Sequence, residues 1–278
     1  MGKRLADKVA FITGAARGQG RSHAMRFAEE GADIIALDLC AQMDSVVYPM
    51  STPEDLEETV RLVEKTGQRI VPVQADVRDF DALCDAVKRG VGELGRLDFV
   101  LANAGILPIL RAESHELSSY VDAIDVMLNG VYYTIEAALP TLIAQDQGGA
   151  IVITSSTAGL KGAGVQYDTM SHGAAGYGAA KHGVVGLMRY YANGLGPKNI
   201  RVNTVHPTGV NSPMVVNEQF AEYAGQHPEF FERSLTNLLP VPHVEPMDVS
   251  EAMLYLCAES GRYITGVTLP VDAGIVVK

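Results

Sequence analysis

The chain has 278 residues, 47% hydrophobic and 20% charged, a composition that suits one folded domain with a sizeable core and excludes extensive disorder. A formal net charge of -11 argues against nucleic acid or an anionic membrane as the main partner, and no apolar run approaches the roughly 18 residues that span a bilayer. Three widely spaced cysteines, Cys40, Cys84 and Cys257, show no metal-ligand clustering and read as thiols of a reducing cytoplasm, and Lys3-Arg4 before a short apolar run does not read as a signal peptide.

In chain order, the apolar run Val9–Ile12 reads as a strand and Arg21–Glu30 as a helix stopped by Gly31. Between them lies Thr13-Gly14-Ala15-Ala16-Arg17-Gly18-Gln19-Gly20. Glycines there let the backbone approach a bulky ligand, and the N–H groups that open the helix attract phosphate. A triphosphate loop needs two glycines five apart followed by Lys-Ser/Thr; Gly14 and Gly20 are six apart and precede Arg21-Ser22, so the pattern suits the pyrophosphate of a dinucleotide instead. The second strand, Asp33–Asp38, ends in a carboxylate placed to meet adenosine ribose hydroxyls and to repel a 2′-phosphate, which favours NAD over NADP. Arg17 pulls the other way, more weakly. A role for Asp38 as a mere strand-end cap stays open at this point.

A polar, proline-containing connection follows, Ala41–Pro53, longer than a typical βα loop. Glu54–Thr66 reads as a helix, Arg69–Gln74 as a strand leading into Ala75-Asp76-Val77, Asp79–Glu93 as a helix, and Leu97–Leu101 as a fourth strand running into Asn103-Ala104-Gly105. A long helix is expected over Glu116–Ala144, with Asn129, a mediocre helix former, near its middle. Ala150–Thr154 is a fifth strand ending at Ser155-Ser156. A glycine-rich connection without evident helix or strand spans Gly159–Gly176, and a helix begins at Tyr177-Gly178-Ala179-Ala180-Lys181 and continues to about Leu195. Ile200–Val205 is a sixth strand, Pro213–Val244 an irregular lid, Glu251–Ala258 a helix and Val267–Val271 a last strand. Strands of continuous apolar residues alternating with helices imply an α/β fold: a single-domain, Rossmann-type doubly wound parallel sheet of about seven strands with helices on both faces. Its ligands would collect at the carboxyl ends of the strands, where Asp38, Asp76 and Asn103 fall.

Tyr177 and Lys181 are four apart and share one helix face. An ammonium beside a phenol favours the phenolate and turns tyrosine into a plausible acid/base near neutral pH. Ser155-Ser156 ends the preceding strand and offers a hydroxyl to the same substrate oxygen. His23, His172, His182 and His206 have no ligand partner at i+3 or i+4 with acidic support, so no metal is expected.

With these motifs in order, the sequence resembles the short-chain dehydrogenase/reductase family over nearly its whole length. Thr13–Gly20 matches that family's Thr-Gly-x-x-x-Gly-x-Gly, Asn103-Ala104-Gly105 its Asn-Ala-Gly element, and Tyr177–Lys181 its active-site pair. Within the family, Gly-Gln-Gly-Arg-Ser-His at 18–23, the run at 179–189 and Leu-Pro-Val-Asp-Ala-Gly at 269–274 most resemble the carveol-dehydrogenase-like, mycofactocin-associated group. The resemblance implies an NAD-dependent oxidoreductase of a secondary, cyclic, apolar alcohol or its ketone, or alternatively of a steroid or acyl carbonyl. A protein that keeps the fold without catalysis is a third reading, which the intact serine, tyrosine, lysine and asparagine disfavour.

It also implies roles. Tyr177 would be the general base, Lys181 its modulator and a ligand of the nicotinamide ribose, Ser156 the holder of the substrate oxygen, and Asn129 the residue that shapes its helix and holds a proton-relay water. Cofactor contacts would come from Gly14, Arg17, Gly18, Gln19 and Gly20, from Asp38, Leu39, Asp76 and Val77, from Asn103, Ala104 and Gly105, and from Pro207, Thr208, Val210 and Ser212. Two departures stand out: Ser156 and Tyr177 are 21 apart, which implies an insertion at about 160–176, and Thr208 takes a place where a glycine is usual. Ser155 stays an alternative to Ser156. The resemblance further implies a cytoplasmic homotetramer, with NAD retained and mycofactocin as electron acceptor among the possibilities that the insertion raises.

Overall fold

The computed structural model describes residues 3–162, 167 and 170–278, with the backbone alone for Phe230, Arg233 and Ser234. Strand β1 (Val9–Thr13) leads through the glycine loop into helix α1 (Gly18–Glu29), and the alternation continues with β2 (Asp33–Asp38), α2 (Pro53–Glu64), β3 (Ile70–Gln74), α3 (Phe80–Leu94) and β4 (Phe99–Ala102). The second half runs α4 (Leu117–Ile124), α5 (Gly130–Gln145), β5 (Gly149–Thr154), α6 (His172–Leu195), β6 (Ile200–Pro207), α7 (Glu218–Gln226), α8 (Pro228–Ser234), α9 (Pro246–Cys257) and β7 (Thr268–Val271). Among the described residues the strands form one seven-stranded sheet, ordered β3-β2-β1-β4-β5-β6-β7, with every neighbour pair parallel. The chain reverses direction across the sheet between β1 and β4, which opens a crevice at their carboxyl ends.

Side chains alternate across a strand, so each strand feeds two cores. Phe11, Ile35, Val100 and Ile151 pack with residues of α3, α5 and α6 on one face. Ala10, Ile12, Ile34 and Leu101 pack with residues of α1 and α9 on the other. Phe27 of α1 meets Phe99 of β4 edge-on with centroids 6.2 Å apart, a geometry that contributes about 0.5–1.5 kcal/mol beyond area burial and fixes the helix that opens at the glycine loop. Both cores are built of buried apolar side chains, which is why the apolar runs read as strands of a covered parallel sheet.

Several local expectations change. Helix α6 starts five residues before Tyr177, where the Ser171 hydroxyl accepts from Ala174 N at 3.1 Å and caps it, so the end of the expected 159–176 connection is helical. Residues 163–166 and 168–169 of the expected insertion lie outside the described residues. The single helix expected over 116–144 is α4 and α5 joined by a π-helical turn, Asp125–Asn129. The expected lid, 213–244, carries α7 and α8 rather than irregular chain alone. The connection 41–53 is not a solvated loop, because its Met43, Val46 and Tyr48 are buried. No helix among the described residues is long and apolar enough to cross a membrane.

Candidate active site

The crevice beyond β1 and β4 is built from the glycine loop. Gly14 has φ +69°, and a Cβ on it would lie 2.9 Å from Ala104 Cα, so only glycine lets this turn rest against the Asn103-Ala104 segment. Gly20 abuts the turn so closely that a Cβ would overlap the Gly14 carbonyl. Helix α1 therefore starts flush against the loop, and its first N–H groups, with no side-chain cap, face the crevice. Ser212 closes the far side: a Cβ on Gly18 would meet Ser212 Cβ at 3.4 Å.

Asn103 braces the floor rather than projecting from it. Its Nδ2 donates to Thr13 O at 3.1 Å and its Oδ1 accepts from Thr154 Oγ1 at 3.0 Å, tying the ends of β1, β4 and β5 together. Asp38, 6% exposed, is similarly engaged. Its Oδ2 accepts from Ala16 N at 2.8 Å, and its Oδ1 from Ser51 Oγ at 2.6 Å and Cys40 N at 3.1 Å. The Cys40 thiol also reaches Oδ1, at 3.9 Å, so the lone pair left for a ligand hydroxyl is on Oδ2, which accepts from Ala16 N alone. Asp76 lines the same crevice while accepting from the Arg78 backbone and guanidinium at 2.7–2.9 Å. Leu39 and Val77 line it beside these acids. The Arg17 guanidinium is tied to Pro49 O at 2.6 Å instead of pointing into the cleft as a free cation.

The 41–53 segment forms a strap along this cleft, an open space of about 880 Å³. Gln42 organises the strap from inside, donating to Val46 O at 2.5 Å and accepting from Met50 N at 3.0 Å. Tyr48 is buried, and its hydroxyl accepts from Leu107 N at 3.0 Å; Ser45 Oγ donates to Asp122 Oδ2 at 2.7 Å. Met43, Tyr48, Met50 and Ser51 thereby join the cleft wall. Sequence reasoning missed these residues, although Val46-Val47-Tyr48, an apolar triplet inside a polar connection, was a usable signal.

A second cavity, about 1030 Å³, adjoins the first and shares Gln19, Ser212 and Met214 with it. Tyr177 and Ser156 stand in its wall, together with apolar side chains that include Leu107, Ile109, Met214, Phe220 and Phe231. Tyr223 of α7 lines a neighbouring cavity beside Ile109. Burial pushes the Tyr177 phenol above its ordinary value, and its interaction with the Ser156 hydroxyl draws it partly back. Lys181 Nζ lies 5.7 Å from the Tyr177 ring centroid and donates to Thr154 O at 2.9 Å. Burial alone lowers its pKa to about 8. Phenol depression by the lysine, expected from the spacing, is thus outweighed here by desolvation. A Cβ on Gly105 would lie 3.7 Å from Lys181 Nζ, which places the Asn-Ala-Gly segment of the cleft directly beside the lysine.

The two serines divide their work. Ser155 Oγ, buried, donates to Lys181 O at 2.8 Å and braces α6 from below, whereas Ser156 faces Tyr177, its Oγ accepting from Ala158 N at 3.2 Å. The Ser156 carbonyl is held by His206, whose Nδ1 approaches it at 2.8 Å while Nε2 meets Thr204 Oγ1 at 2.8 Å. A carbonyl only accepts, so Nδ1 carries the proton. Burial first, with Lys181 a lesser contributor, lowers the His206 pKa to about 4, and the ring is neutral. Asn129 closes the π turn, and its Nδ2 donates to Asp125 Oδ1 at 2.8 Å; the structure does not join its side chain to Lys181. Thr208 Oγ1 donates to Asn237 Oδ1 at 2.8 Å, which accounts for a hydroxyl residue after Pro207. Val210 is buried and bridges Val244.

Comparison with known proteins agrees with this architecture. A family model described as enoyl-(acyl carrier protein) reductase matches residues 14–276. An uncharacterized oxidoreductase of Mycobacterium tuberculosis (strain CDC 1551 / Oshkosh) is 53% identical over 274 residues, covering 99% of this chain and 98% of that one. The (-)-trans-carveol dehydrogenase of Rhodococcus erythropolis is 48% identical over 286 residues, covering 99% of each. Among solved structures, carveol dehydrogenase from Mycobacterium avium in complex with NAD superimposes with a TM-score of 0.91 at 48% identity, over 99% of this chain and 100% of that one. The chain belongs to the short-chain dehydrogenase/reductase family.

Proposed function

We propose that the protein is an NAD-dependent dehydrogenase of secondary, cyclic, largely apolar alcohols of the terpenoid kind, acting reversibly on the corresponding ketones. One observation carries the reading: the glycine-loop cleft and the apolar cavity adjoin at Gln19, Ser212 and Met214, with Tyr177 and Ser156 in the cavity wall. The glycine cradle fits a dinucleotide, since side chains at Gly14 or Gly20 would close it. Pyrophosphate would lie on the N–H groups of Gly18, Gln19 and Gly20, adenosine beside Asp38, Leu39, Asp76 and Val77, and the nicotinamide end near Asn103–Gly105, Tyr177, Lys181 and the segment Pro207, Thr208, Val210 and Ser212. The remaining acceptor site on Asp38, and the tethering of Arg17 to Pro49 O, favour NAD over NADP.

Bound NAD supplies the hydride acceptor. In oxidation Tyr177, as phenolate, takes the carbinol proton, and Ser156 hydrogen-bonds the same oxygen. Lys181, with a pKa of about 8, is mostly ammonium at neutral pH and favours the phenolate electrostatically. Asn129, at the end of the π turn, holds the backbone bend that positions a relay water for Lys181. Segment 213–244 acts as a lid whose Met214, Phe220 and Phe231 exclude water from the alcohol.

The strap over residues 41–53, anchored at Asp38, Asp122 and Leu107, supports slow exchange of the cofactor, and with it electron transfer to mycofactocin in place of free NAD. A cytoplasmic homotetramer is consistent with exposed Leu117, Val121, Tyr132 and Tyr190, and with Gly178 and Gly186 of α6, where a Cβ would have open space around it out to 4 Å. Replacing Tyr177 by Phe tests the chemistry: kcat should fall about 10²–10⁴-fold with NAD binding intact, and turnover that survives rules the mechanism out. A screen of secondary alcohols with NAD, NADP and an artificial electron acceptor tests substrate and cofactor together.

A further inference from the structure

The cavity beside Tyr177 mixes apolar side chains with polar ones such as Gln19, Thr157 and Ser212. Tyr177 and Ser156 line it, and so does His243, from the segment after α8. This imidazole is half-buried, and its ring nitrogens hydrogen-bond to no described residue. Its backbone is nevertheless held tightly on both sides. Before it, Asn237 Nδ2 donates to Val241 O at 2.8 Å and Pro242 O at 3.4 Å, while Asn237 Oδ1 receives the Thr208 hydroxyl. After it, Val244 N donates to Gly209 O at 3.0 Å and Asn211 N to Val244 O at 2.9 Å. A Cβ at Gly209 would meet His243 Cδ2 at 3.2 Å, so glycine at that position leaves room for the ring.

A polar ring on a held backbone, without a described hydrogen-bond partner, in the wall of the cavity that Tyr177 and Ser156 line is a device for orienting a ligand. We propose that His243 is a specificity-determining residue that hydrogen-bonds a second oxygen of the substrate, distinct from the carbinol oxygen met by Tyr177 and Ser156. The inference rests on the dehydrogenase reading and deepens it: the preferred substrates are cyclic alcohols bearing a further hydroxyl, carbonyl, ether or carboxylate. Such a contact selects both substrate and orientation, because an apolar wall alone lets a cyclohexanol ring bind in several rotations about its axis. Fixing one of them presents one carbinol face to the cofactor side.

The test compares trans-4-methoxycyclohexanol with trans-4-ethylcyclohexanol, a pair matched in shape and differing by one acceptor oxygen, and adds trans-4-hydroxycyclohexanecarboxylate. Wild type and the variants His243→Leu and His243→Gln are assayed with the artificial acceptor present, and nucleotide binding confirms that each is folded. The methoxy-to-ethyl ratio of kcat/KM should drop about tenfold in His243→Leu, the size of one net hydrogen bond, and hold at least in part in His243→Gln. A loss confined to the carboxylate assigns the contact to an anion; a loss for both assigns it to any acceptor oxygen. No oxidation of any of these alcohols by the wild type overturns the dehydrogenase reading and this inference with it. Oxidation of all three, with neither the methoxy-to-ethyl ratio nor the carboxylate-to-ethyl ratio of kcat/KM changed in His243→Leu, overturns this inference alone.

Discussion

Replacing Lys181 by methionine should abolish turnover and yet raise the melting temperature of the nucleotide-free protein. Lys181 is 5% exposed, and burial takes its pKa from 10.5 to about 8. That difference, about 2.5 units at about 1.36 kcal/mol each, means that holding the ammonium in the fold costs about 3 kcal/mol at pH 7. Methionine occupies a similar volume without the charge but gives up the bond from Nζ to Thr154 O, worth about 1.5–3 kcal/mol for a charged donor. The net gain is about 1 kcal/mol, or roughly 2–4 °C in a chain of this size. The sign with pH is fixed. Between about pH 8 and 10.5 the unfolded chain keeps the lysine proton that the folded chain has released, so wild-type stability rises with pH in that window. The variant lacks the group, so the gap of about 1 kcal/mol should close near pH 9 and reverse by about pH 10. Scanning calorimetry at pH 7, 8, 9 and 10 measures this; a variant that melts lower at pH 7, or a gap constant with pH, refutes the claim that desolvation dominates at this lysine.

Ser156→Ala should lower kcat about 10²-fold with little change in melting, whereas Ser155→Ala should cost about 1 kcal/mol of stability through its lost bond to Lys181 O; kinetics and thermal melts in the reverse order would return the catalytic role to Ser155. Asp38→Ala strips the acceptor from Ala16 N, Cys40 N and Ser51 Oγ, so urea unfolding should report a loss of about 3 kcal/mol or more and competition binding a weakened preference for NAD over NADP. Arg111 has φ 58° and ψ -166°, a region that suits glycine alone, and pairs at 2.8 Å with Glu222 of α7, both side chains 49% exposed. Arg111→Gly should raise the melting temperature, since relieved strain of about 1–3 kcal/mol exceeds an exposed ion pair of at most about 1, while KM for the alcohol rises as α7 loses its tether; a lower melting temperature would show that the pair, not the strain, dominates.

The sheet was legible because its central strands β1, β4 and β5 carry continuous apolar runs, and the glycines or acids after several strands are local signals. Val9–Thr13, Ile34–Leu37 and Ile151–Ile153 are buried on both faces, which leaves no alternation to confuse with a solvated strand. The start of α6 was not legible. His172-Gly-Ala-Ala-Gly has no apolar period, and each glycine disfavours a helix by about 1 kcal/mol. The glycines are there for packing: a Cβ on Gly176 would lie 2.9 Å from Ala123 Cβ of α4, and one on Gly173 would overlap Pro108 O. Tertiary contact, recorded nowhere in the local spacing, decides that helix. The strap likewise depends on Ser45 and Tyr48 bonding to Asp122 and Leu107, 77 and 59 residues along the chain.

The spacing of Tyr177 and Lys181 correctly predicted proximity but not its electrostatic result. Burial drives both groups toward their neutral forms, the phenol upward and the ammonium downward to about 8, so in the protein alone the proton stays on Tyr177. A tyrosine in that state is ready to act as an acid toward a ketone. To act as a base toward an alcohol it needs more positive charge than Lys181 provides from 5.7 Å. On the proposed reading Tyr177 ionises more readily beside an oxidised, positively charged nicotinamide than beside the neutral reduced one. Its proton affinity then follows the redox state of the cofactor in the sense each direction requires: lower when an alcohol must be deprotonated, higher when a ketone must be protonated. The buried surroundings that oppose ionisation in the protein alone also make the phenol responsive to that single charge, because a low local dielectric amplifies it.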